Sequence, residues 1–188
     1  MSCDGGTPAQ IPFGALMSDP ARASKEGGGP GKRSLARLAA VQALYQIELG
    51  GETPEAVVAE FSTHRFGREI DGDRYAEADR AFFADIVKGC SERRAEIDEM
   101  LSSALPSDWP LARIESVLRA ILRAGAFELV ARSDVPARVV INEYVEVAHA
   151  FFSGKEPGMA NGVLDRLARS LRAEELAGSG RDGGAQAR

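Results

Sequence analysis

The segment IESVLRAILRAGAFELVAR, residues 114–132, constrains the fold more than any other part of the chain. Ile114, Val117, Leu118, Ile121, Leu122 and Phe127 recur at helical spacing and form an apolar stripe too wide for a helix with one face in water. Other helices have to enclose it, so we expect an all-α domain with a central helix over about 112–132. The flanking segments carry the same period. Leu35, Leu38, Val41, Tyr45 and Leu49 predict a first helix that stops at Gly50-Gly51, and Thr53-Pro54 starts a short one running to about Phe61. Residues 77–105, with Phe82, Phe83, Ile86, Val87, Ile97 and Met100, read as one long helix or as two broken near Gly89. Pro106 and Pro110 bracket a turn around Trp109. A helix over 137–152 follows, then the loop SGKEPG, then a last helix carrying Val163, Leu164, Leu167 and Leu171. The total is six or seven helices, with no period-2 strand pattern.

Residues 1–31 and 175–188 are rich in Gly, Pro, Ala and Ser without periodicity, so both are expected to be disordered tails around a domain at 32–174. No apolar run approaches the length of a membrane span, and no signal or transit pattern opens the chain. A soluble, cytoplasmic protein with no membrane contact is expected. Two isolated cysteines, Cys3 and Cys90, make neither a disulfide framework nor a metal cluster. The net charge of −5 means that any attraction to nucleic acid has to be local.

One local candidate exists. GGGPGKRSLARLAAVQALY, residues 27–45, enters the first helix through Lys32, Arg33 and Arg37, although a helix start favours anions. Arg33 and Arg37, four residues apart, share a helix face. The three cations suit either an ordinary solvated face or an anion site in which guanidinium groups meet phosphate oxygens.

The catalytic possibilities thin out quickly. Glu146 and His149 have the i, i+3 spacing of di-iron ligands, with Glu143 a turn earlier, but the only other histidine, His64, lacks that spacing. No nucleophile elbow, phosphate loop or dinucleotide fingerprint occurs, so no metal or cofactor site is expected. In the pairs Phe82-Phe83 and Phe151-Phe152, at most one member each is expected in the core, because neighbours on a helix diverge by about 100°. Between Glu52 and Asp79 eight acids face three arginines, a solubilising stretch or a dock for a basic partner.

AVQALYQIEL (40–49), FADIVKGC (83–90), RSDVPARVVINEYVEVA (132–148) and NGVLD (161–165) occur in the order, spacing and helical context of the NusB family of bacterial transcription antitermination proteins, which the chain resembles over about residues 32–172. The resemblance implies two packed helical bundles and no enzymatic activity. It implies binding of the single-stranded boxA element of ribosomal RNA leaders, with the ribosomal protein NusE, so that RNA polymerase in a complex with other Nus factors ignores terminators. Lys32, Arg33 and Arg37 fall on the family's arginine-rich motif, which is thinner here because Ser34 and Leu35 stand where relatives often have arginine. Met159 stands where phenylalanine is common, and with Lys155 of SGKEPG it joins the expected RNA contacts. Tyr45 and Phe82 are the expected NusE contacts. Replacing Arg33 and Arg37 by Ala is expected to weaken RNA binding at nearly unchanged stability. The competing possibilities are a module like the N-terminal domain of ribosomal RNA cytosine methyltransferases, although no βαβ segment follows Arg172 in this sequence, and a structural dimerising bundle.

Overall fold

The computed structural model describes residues 31–66, 69–70, 73–74 and 78–178. In chain order the elements are α1 (Lys32–Gly50), α2 (Pro54–Glu60) running into one π turn (Phe61–Arg65), a hairpin of β1 (Glu69–Ile70) and β2 (Asp73–Arg74), α3 (Arg80–Glu92), α4 (Arg94–Ala104), a 3₁₀ turn (Leu111–Arg113), α5 (Ser116–Ala131), α6 (Ala137–Phe151), α7 (Glu156–Leu171) and α8 (Ala173–Gly178). The hairpin pairs antiparallel, Glu69 with Arg74 and Ile70 with Asp73, and was not legible as a strand pattern. No helix among the described residues is long and apolar enough to cross a membrane.

Local chemistry accounts for the boundaries. α1 stops where Gly51 takes φ 68°, the left-handed region, and returns its N–H to the Ile47 carbonyl. Thr53 caps α2 by accepting from the Ala56 N–H at 3.3 Å. α5 begins later than its apolar pattern because the Glu115 carboxylate accepts from Leu118 N–H, which fixes the cap there. The break in the long third segment falls at Arg93, not at Gly89. Gly89 stays inside α3, where a Cβ would lie 2.3 Å from Phe127 Cζ, so its role is the close approach of α3 to α5. The SGKEPG segment is only half a loop, since α7 starts at Glu156 with Pro157 in its first turn.

α5 is the shared wall of the molecule. α1, α3, α4, α6 and α7 all pack on it; α1–α3 form one bundle with it, and α4, α6 and α7 form the other. Its residues from Ala120 to Leu129 are buried without interruption. α1 presents small side chains, with Ala36, Ala40 and Ala43 fully buried, while Leu35 and Leu38 are only partly covered and Leu49 is exposed. Both Phe82 and Phe83 are buried, against the expectation of one per pair, because α3 packs on α1 and α5 while Phe83 also stacks on Phe61, with ring centroids 5.4 Å apart. Phe151 and Phe152 are both half-buried.

The chain closes on itself past residue 174. Arg172 donates to the carbonyls of Leu129, Val135 and Arg132 at 2.7–2.8 Å, satisfying the C-terminal end of α5. In α8, Glu175 accepts from Ala137 N–H at 2.7 Å and Leu176 packs on the core, so the ordered domain extends beyond the expected boundary at 174. Residues 1–30 and 179–188, the greater part of the expected tails, lie outside the described residues.

Candidate nucleic-acid interface

The start of α1 has no side-chain cap and no acid in its first turn. Lys32 is exposed, and its carbonyl accepts from Asp79 N–H, tying α1 to the start of α3. The Arg33 side chain is half exposed, 3.8 Å from the Asp79 carboxylate and 5.2 Å from the centroid of the Phe82 ring. These two cations face outward.

Arg37 does not, which corrects its assignment as an RNA contact. Its guanidinium is 3% exposed and donates through Nε and Nη2 to the Glu128 carboxylate at 3.0 and 2.5 Å, and through Nη1 to Glu143 at 2.9 Å. Four residues of helix advance by about 40° beyond a full turn, and that rotation carries Arg37 from the Arg33 face onto the alanine-lined face against α5. Burial works to lower the Arg37 pKa, but the hydrogen bond and charge of Glu128 outweigh it, and the pKa is raised. The Tyr144 hydroxyl lies beside this pair, fully buried and without a hydrogen-bond partner among the described residues. Burial first, then the Glu128 charge, hold its pKa well above the ordinary value.

Phe82, expected on the partner surface, is 3% exposed and belongs to the core. Arg33, Arg37 and Arg132 each hold a guanidinium 5.1–5.2 Å from its ring centroid. Arg132 was missed in the sequence because it sits nearly a hundred residues from Arg33 in a turn, where no helical spacing links the two. It pairs with Asp134 through Nε at 2.9 Å and Nη2 at 3.0 Å, and with Asp85 through Nη1 at 2.9 Å. The Arg132 hydrogen bond is the main cause that lowers the Asp134 carboxyl to about 2.

A second group of expected contacts lies at the other end of α5. Arg37 meets Glu128 near the end of that helix, whereas Glu48, late in α1, pairs with Arg119 and Arg123 in its first half, so the two helices run antiparallel. Burial tends to raise the Glu48 pKa, but the Arg119 hydrogen bond and both arginine charges bring it below the ordinary value. Asp98 completes the cluster, accepting from Arg123 Nε at 2.6 Å. Tyr45 is half-buried one turn before Glu48. Lys155, exposed at the start of α7, and the partly buried Met159 line a cavity of about 390 Å³ with Trp109, Arg113 and Leu118. Trp109 is half exposed on the turn held by its N–H to the Pro106 carbonyl. Lys155 and Met159 therefore share a site with each other but not with Lys32 and Arg33.

Other groups have plain settings. Glu146 and His149 are exposed on α6, Glu143 is taken by Arg37, and among the described residues no three His, Cys, Asp or Glu side chains converge as a metal site would need. Burial pushes the Cys90 thiol up to about 12, which leaves it inert. Within the acidic stretch, Asp79 caps α3 through the Phe82 N–H, and Glu60 is engaged by Gln46 and Arg65. Residues 67–68, 71–72 and 75–77 of that stretch lie outside the described residues.

Fold and site define a class, an all-α two-bundle binding domain, its one short hairpin aside, with cations turned outward at the start of its first helix. The model of the NusB family matches residues 34–169, and the chain belongs to that family. The transcription antitermination protein NusB of Rhodopseudomonas palustris (strain BisB18) is 53% identical over 145 residues, covering 77% of this chain and 86% of that one. Its counterpart in Nitrobacter hamburgensis is 54% identical over 146 residues, covering 78% and 91%. Among solved structures, T. maritima NusB is similar with a TM-score of 0.64 at 27% identity over 79% of this chain and 98% of that one. A crystal structure of the antitermination factors NusB and NusE in complex with dsRNA has a TM-score of 0.58 at 26% identity, covering 74% and 97%.

Proposed function

We propose that the chain is a cytoplasmic, non-enzymatic transcription antitermination factor that binds boxA-type single-stranded RNA together with NusE, as part of a transcribing RNA polymerase complex with other Nus factors. The observation that carries this is membership of the NusB family over most of the folded domain, joined to an outward-facing Lys32 and Arg33. Two exposed cations are few for a polyanion. Phosphate contacts of this number give weak, salt-sensitive binding without sequence discrimination, and reading of single-stranded bases needs further surface. NusE supplies that surface, with half-buried Tyr45 as its contact. Lys155 and Met159 extend the RNA track at the opposite end of α5, a helix of 16 residues and hence about 24 Å long. A strand that touches both groups runs the length of the domain.

The test is a titration of the chain plus NusE with boxA RNA and a scrambled control at two salt concentrations. Tighter binding of boxA, weakened by Lys32→Ala with Arg33→Ala at unchanged melting temperature, is expected. Equal affinity for both RNAs would remove the antitermination assignment.

A further inference from the structure

We propose that Arg132 is a phosphate-binding residue paired with Arg33 across the Phe82 ring, and that Asp85 and Asp134 are built-in competitors for it which the RNA backbone displaces or shares. The inference rests on the RNA-binding role above and adds to it a residue ninety-nine positions from Arg33.

Three observations carry it. The Arg33 and Arg132 guanidinium carbons lie 5.2 and 5.1 Å from one ring centroid, so they are never further apart than twice that, the reach of one or two neighbouring phosphates. Arg33 also contributes to the low pKa of Asp134, the partner of Arg132, so the three side chains act on one another. Second, both guanidinium groups keep donors to spare. A guanidinium has five N–H donors, and the hydrogen bonds of Arg132 to Asp134 and Asp85 use one each on Nε, Nη1 and Nη2. Arg33 makes an ion pair at 3.8 Å, beyond hydrogen-bond reach. Third, the carboxylates are themselves oxyanions seated where phosphate oxygens would sit, and they are accessible: the Asp85 side chain is 47% exposed and that of Asp134 54%. Bidentate seating of Asp134 on Arg132 is the geometry that a phosphate reproduces. Arg37, on the same ring, is excluded by its burial.

The ring gives the pair its stiffness. Phe82 is locked in the core, so guanidinium groups resting on it are pre-oriented, and less side-chain freedom is lost when RNA arrives. The carboxylates hold the orientation in the free protein and reduce its affinity for polyanions at the same time.

The experiment titrates boxA RNA into the full chain plus NusE at 50 and 200 mM salt, with melting temperature measured for every variant. Arg132→Gln is expected to lose affinity several-fold and to flatten the slope of log K against log salt by about 0.7, one single-strand phosphate contact. Asp134→Asn and Asp85→Asn are expected to bind several-fold tighter, the opposite of what a merely structural role would give. Arg132→Lys should retain much of the salt slope. Unchanged affinity and slope in Arg132→Gln, or weaker binding in both Asp→Asn variants, overturns the proposal while wild-type binding leaves the antitermination role standing. If Arg132→Gln does not fold, the two exposed Asp variants decide. A wild type that binds no RNA with NusE at either salt overturns both.

Discussion

Replacing Arg37 by alanine takes the cation away from a carboxylate that has no water to turn to. Glu128 is fully buried, and its two oxygens both accept from Arg37, while Glu143, 29% exposed, can rotate toward solvent. Breaking a buried pair by removing one partner costs about 3–5 kcal/mol, and for a domain of this size each kcal/mol lowers the melting temperature by about 2–4 °C. Arg37→Ala should therefore melt roughly 6–20 °C below wild type, with urea unfolding followed by far-UV circular dichroism giving the same loss. This reverses the expectation from sequence that the substitution is neutral for stability. Arg37→Met combined with Glu128→Leu should recover most of the loss, because an apolar replacement leaves no orphaned charge. A cost for Arg37→Ala below about 1 kcal/mol, the value of an exposed pair, would mean that Glu128 finds water or another partner once Arg37 is gone.

Gly89→Ala should destabilise by about 1–3 kcal/mol despite alanine's better helix propensity, since the new methyl meets the Phe127 ring; adding Phe127→Leu should relieve it in the same urea titration. Phe82→Ala should cost about 3–5 kcal/mol in stability, whereas Tyr45→Ala should mainly weaken NusE binding in a pull-down or calorimetric titration with little change in melting temperature. Glu48 has a folded pKa below its ordinary 4.5, so its contribution is present above the unfolded pKa and is lost as pH falls through the folded one. The stability difference between wild type and Glu48→Gln, from urea midpoints, should accordingly be large at pH 7 and shrink by pH 3.

The central helix was legible because its apolar stripe leaves no face for water, and the ends of α1 and α2 because Gly51 and Thr53 are local signals that need no tertiary partner. The face of α1 was harder. Large apolar residues at helical spacing point to Leu35 and Leu38, but α3 and α5 approach over Ala36, Ala40 and Ala43, side chains that hydropathy weights little. That rotation carried Arg37 inward with it. Its partners, Glu128 and Glu143, are 91 and 106 residues away, and an ion pair of that span leaves no trace in local spacing. The same is true of Arg132 beside Arg33. Pro157 read as a loop signal because proline is equally at home in a loop and in the first turn of a helix.

A helix walled in by five others also sets how the molecule comes apart. Neither the α1–α3 bundle nor the α4, α6 and α7 bundle owns its core, because both close against α5. Loss of either bundle strips cover from residues that the other needs, so neither forms an independent foldon. Amide protons of α1 and α7, which pack on the central helix from different bundles, should exchange through the same global opening, in a single cooperative event.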